Sequence, residues 1–76
     1  MKKLIVFQEE VSNETIMEIV EVLENIATEE VDYFLICARG EDVPNGILVI
    51  DALLEDEEIA PLLVADGISI EEDTLS

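Results

Sequence analysis

The chain has 76 residues, 20 of them Asp or Glu against three basic residues and no histidine, for a formal net charge of −17. That balance excludes direct binding to DNA or RNA and to anionic membranes, because neutralising phosphate takes Lys and Arg. Half of the residues are apolar, enough aliphatic side chains for one small folded domain and too many for a disordered chain.

In chain order, Leu4 to Phe7 is a continuous β-prone run and reads as a first strand. Met1 to Phe7 starts with two lysines, but its apolar run stops at Gln8 and Glu9, too early for a secretion signal. No apolar stretch approaches a membrane span. Ser12 or Asn13 can cap a helix, with Glu14 in its first turn. From Glu14 to about Glu29 the period is helical. Ile16, Ile19, Val20, Leu23, Ile26 and Ala27 fall on one face.

Tyr33 to Ala38 reads as a second strand and Ile47 to Ile50 as a third. Arg39 to Gly46 reads as the loop of a hairpin between them, since Gly40, Pro44, Asn45 and Gly46 are turn formers. Ala52, Leu53, Leu54, Ile59, Leu62 and Leu63 can line a second helix. Pro61 interrupts it, giving a kinked helix or two short pieces. Asp66-Gly67 is a helix stop, Ile68 to Ile70 a short last strand, and Glu71 to Ser76 an acidic tail. The reading is therefore one compact α+β domain over residues 1–70 with a tail over 71–76. Its order is β-α-β-β-α-β, the ferredoxin-like pattern of an antiparallel sheet with helices on one face.

A sheet covered on one face only should alternate apolar and polar residues. The three clear strands do not: Leu4-Ile5-Val6-Phe7, Phe34-Leu35-Ile36-Cys37 and Ile47-Leu48-Val49-Ile50 are apolar throughout. Two arrangements answer this. Either the second helix and the tail wrap over the second face, or a homodimer or another partner covers it.

The residue inventory narrows the chemistry. Without histidine, neither a Ser-His-Asp nor a Cys-His site can be built. The single cysteine, Cys37, can form neither an intramolecular disulfide nor a thiolate-rich zinc site. It suits a reducing cytoplasm, and its place in an apolar strand predicts burial. The glycines do not fall in a phosphate-binding spacing. Carboxylate pairs alone need a cleft that separates their pKa values, which a chain this small has little material to form. The expectation is a protein with no catalytic residues and no cofactor. Glu55-Asp56-Glu57-Glu58 and Glu71-Glu72-Asp73 have the oxygens for Ca²⁺ or Mg²⁺ but not the spacing of a calcium loop, so no metal site is assigned.

What remains is binding. Glu14, Glu18 and Glu21 recur at i, i+4 and i+7, opposite the apolar face of the first helix, with Glu24 beside them. Glu29, Glu30 and Asp32 extend the charge beyond it. No Lys or Arg interrupts residues 4–38. An ordinary solvated face mixes signs, because like-charge neighbours are unfavourable on a helix. Together with Glu55, Asp56, Glu57 and Glu58, these acids are the expected contacts for a basic protein, above all one that binds nucleic acid. Carboxylates spaced about 4.5–6 Å along a helix approach the scale of phosphates along DNA, about 3.4 Å per charge on each strand. In charge and length the chain resembles the small acidic inhibitors that phages make against host nucleic-acid enzymes, anti-CRISPR and DNA-mimic proteins among them; no motif adds to that resemblance. The resemblance implies an inhibitor that blocks a basic surface. Two other readings stand beside it: a structural or assembly module that associates through the apolar sheet face, and a regulatory domain that responds to divalent cations.

Overall fold

A computed structural model describes residues 2–27, 32–40 and 43–72. The chain forms β1 (Lys2–Phe7), α1 (Asn13–Ile26), β2 (Tyr33–Cys37), β3 (Pro44–Ile50), α2 (Asp51–Leu54), a 3₁₀ helix (Ala60–Val64) and β4 (Ile68–Glu72). The strands make one sheet in the order β2-β3-β1-β4, every neighbouring pair antiparallel. It is a small mixed α/β domain with a four-stranded antiparallel sheet and two helices.

α1 begins where the capping residues predict. The Ser12 hydroxyl accepts a hydrogen bond from the Thr15 backbone N–H at 3.2 Å, and Ile16 N–H donates to the Ser12 carbonyl at 3.1 Å. This satisfies donors that an uncapped helix would leave unpaired. The helix ends sooner than its period suggests: Ala27 is already extended, and its N–H closes the last turn on the Leu23 carbonyl at 2.8 Å. No basic residue occupies that last turn to favour a longer helix.

The sheet register sorts its side chains onto two faces, because directly paired residues in an antiparallel ladder point the same way. Ile5 pairs with Ile47 and Ile70, and Phe7 with Ile68. Ile5, Phe7, Ile47 and Val49 meet Ile16, Ile19, Val20 and Leu23 of α1, together with Val11 and Ile59, in one buried cluster. These ten side chains are the core, and it contains no buried polar or charged residue. Burying each such aliphatic side chain contributes roughly 1.5–3 kcal/mol.

Two local readings are corrected. Pro44, Asn45 and Gly46 belong to β3 rather than to a turn. Pro44 is tolerated as the first strand residue, opposite Cys37, where the register of β2 on β3 shifts. Gly46 is needed for close approach. A Cβ there would lie 3.0 Å from the Ile5 carbonyl oxygen and 3.1 Å from Leu4 Cδ1. β4 runs on through Glu71 and Glu72, which pair with Leu4 and Lys3, two residues past the expected strand end at Ile70; the rest of the expected tail, 73–76, lies outside the described residues.

The segment after β3 resolves into two short pieces. α2 is a single turn, and Pro61 lies in the first turn of the 3₁₀ helix, where its missing N–H leaves no bond unmade. Between them Asp56 organises the chain: its carboxylate accepts from Glu58 N–H at 2.8 Å, and its carbonyl accepts from Ile59 and Ala60 N–H at 3.2 and 2.9 Å. This places Ile59 fully inside the core. Leu53, Leu54, Leu62 and Leu63 pack on that same cluster. The segment therefore thickens the helix side of the sheet and does not wrap around to the other.

Candidate protein-binding surfaces

Glu14, Glu18, Glu21 and Glu24 are all exposed on α1, while Ile16, Ile19, Val20 and Leu23 of the same helix are buried. At about 100° per residue the first three carboxylates form a line diametrically opposite the buried face, so they point away from the sheet.

The placement of the three cations leaves this line unneutralised. Lys3 Nζ lies 3.3 Å from Asp51 Oδ1, tying the start of β1 to the start of α2. Arg39 donates to the carbonyls of Val11 at 3.0 Å and Gln8 at 3.4 Å, clamping the β1–α1 turn to the end of β2. Lys2 Nζ sits 5.1 Å from the centre of the Phe34 ring, within cation–π range. Each cation is held at a structural contact, and among the described residues none forms an ion pair with α1.

The other predicted acids divide. Glu55, Glu57 and Glu58 are exposed, but Asp56 is half-buried and engaged with the backbone of the following turn. Its role there is to shape the chain, which sequence spacing alone did not reveal, although Asp is a frequent turn-shaping residue. Asp32 is half-buried just before β2. Glu29 and Glu30 lie outside the described residues. Glu24 comes near Tyr33: burial first, and the Glu24 charge second, push the Tyr33 hydroxyl above its ordinary pKa of 10.0. Among the described residues no three carboxylates or thiols converge as metal ligands, and no helix is long and apolar enough to cross a membrane.

Cys37 is exposed, not buried. Its strand, β2, is the edge of the sheet, and Cys37 is its last residue, beyond the register shift. An apolar strand buries its residues only where something packs on it, and the sequence does not tell an edge from a centre.

A second surface emerges from the register. Leu4 pairs with Leu48, Leu48 with Phe34, Lys2 with Ile50, and Val6 and Ile36 both with Gly46. These residues share the face opposite α1, and none of their side chains belongs to the core cluster. Phe34 is 48% exposed at the edge, Leu4, Val6, Ile36 and Ile50 are half-buried, and Leu48 is 4% exposed. Sequence reasoning anticipated an excess of apolar strand residues but not which of them would face outward.

Comparison with protein-family models, with curated proteins and with solved structures gives no match to this chain.

Proposed function

We propose that this chain is a non-enzymatic binding protein whose α1 carboxylate line occupies a nucleic-acid-binding surface on a basic protein, making it an inhibitor of the DNA-mimic or anti-CRISPR-like kind. One observation carries the reading: Glu14, Glu18 and Glu21 stand exposed in a line on a capped helix, with every cation of the described chain engaged elsewhere. A helix anchored by four buried side chains presents those charges rigidly, so little ordering is needed on binding. The net charge of −17 adds electrostatic steering toward a cationic groove.

The scaffold for this role is a ferredoxin-like domain. The order β2-β3-β1-β4, with every neighbour antiparallel and with α1 and α2 each following the first strand of a pair, supports that assignment. A single exposed cysteine is compatible with the reducing cytoplasm, where we place it.

The test starts from protein captured on the immobilised chain. Binding should weaken steeply with salt, and a double-stranded or single-stranded oligonucleotide should release the captured protein by competing for the same groove. The triple variant Glu14→Gln, Glu18→Gln, Glu21→Gln should bind at least about tenfold more weakly. Salt-insensitive binding, no release by nucleic acid, or an unchanged affinity of the triple variant would each sink the proposal.

A further inference from the structure

Charge and hydropathy are segregated across this molecule. No Asp or Glu occurs in residues 1–8, 33–40 or 43–50, the stretches that hold β1, β2 and β3. Those same stretches contain Lys2, Lys3 and Arg39, all three cations of the chain. Of the strands, only β4 carries carboxylates, Glu71 and Glu72. By register only Glu71 shares the face opposite α1, at its margin beside Leu4.

We propose that the face of the sheet opposite α1, formed by Leu4, Val6, Phe34, Ile36, Leu48 and Ile50, is where a second copy of this chain packs, joining two sheets face to face. The charge distribution selects this occupant. A basic partner is drawn to carboxylates, and apart from Glu71 at its margin the patch has none, whereas α1 and the segment around Glu55–Glu58 carry many. For two copies that repel one another nearly everywhere, the patch is a surface on which they can meet with only Glu71, at its margin, to oppose them. The match is self-complementary, as a two-fold interface requires, and aligned sheets stack at about 10 Å with interdigitated side chains.

The size of the patch sets the strength. Three strands about 4.8 Å apart and five to seven residues long, at about 3.3 Å per residue, cover roughly 14 by 20 Å. Two such faces bury less than the roughly 1,200–2,000 Å² of a standard stable interface. The dimer is therefore weak and concentration-dependent. Its salt response is opposite to that of the acidic helix: added salt screens the mutual repulsion of the two copies and strengthens association.

Sedimentation equilibrium of the whole chain up to about 1 mM, at low and high salt, tests this. The expected result is a monomer–dimer equilibrium that shifts toward dimer as salt rises. Phe34→Glu, at a half-exposed position outside the core, should weaken it at least about tenfold while far-UV circular dichroism stays unchanged. Val6→Lys, on β1, a central strand of the sheet, is a second variant with the same expectation. Leu35→Glu lies on the same edge strand but points to the α1 side, so it should leave association intact. A monomer at every concentration and salt overturns the proposal. Equal losses in Phe34→Glu and Leu35→Glu would also overturn it, in favour of edge-to-edge pairing of β2. If Phe34→Glu abolishes capture of a basic protein and has no effect on self-association, the face serves that partner instead.

Discussion

Removing charge from α1 should make the protein more stable and less able to bind. Glu14 and Glu18 are four residues apart, Glu18 and Glu21 three, and Glu21 and Glu24 three, all exposed on one helix. Replacing Glu18 and Glu21 by Gln removes all three like-charge neighbour pairs, keeps Glu14 near the helix N-terminus, and hardly changes helix propensity. At about 0.2–0.5 kcal/mol per pair, the gain is roughly 0.6–1.5 kcal/mol. For a domain of this size that raises the melting temperature by about 2–12 °C. The assay is thermal unfolding followed by circular dichroism in about 0.01 M and about 1 M salt. The screening length falls from about 30 Å to about 3 Å between them, below the spacing of the carboxylates, so the gain should be present in the first buffer and largely gone in the second. No gain at low salt, or an equal gain in both buffers, would refute the claim that these carboxylates are mutually repelling and uncompensated. The same double variant should capture less basic partner, because what destabilises the isolated chain is what the proposed complex neutralises.

Three further outcomes follow from particular contacts. Gly67 has φ +90°, and a Cβ there would lie 2.8 Å from Val11 Cγ2; Gly67→Ala should cost about 1–3 kcal/mol in urea unfolding, and a neutral result would mean the β1–α1 turn yields freely. The Tyr33 pKa is raised in the fold, so the stabilisation it reflects is complete below the unfolded value of about 10 and is lost as pH rises through the folded value. Tyr33→Phe should accordingly gain on the parent chain in stability above about pH 10, whereas parallel alkaline profiles would contradict it. Cys37, exposed at the end of β2, should react with a thiol reagent at a rate close to that of the denatured chain, and strong native-state protection would show that the site is covered.

By itself the sequence determined what depends on near neighbours and on residue inventory. The period of Ile16, Ile19, Val20 and Leu23 located α1, Ser12 or Asn13 marked its start, and the β-prone runs ordered the strands. The lack of basic residues between 4 and 38 fixed the character of the α1 surface. Tertiary structure decided what depends on distant partners. Pro44 and Gly46 look like turn residues until β3 is paired between β1 and β2, where a side chain at 46 would crowd Ile5 and Leu4. Asp56 looks like one more surface acid until the turn it holds delivers Ile59 to the core. The strands show the same limit most clearly. A strand apolar at every position has no period, so only the docking of α1, α2 and the 3₁₀ helix on one side could show that Ile5 and Ile47 are core while Leu4, Val6 and Ile36 lie on the opposite face. Burial of a strand residue depends on what packs over it, and that layer is drawn from residues far away in the chain.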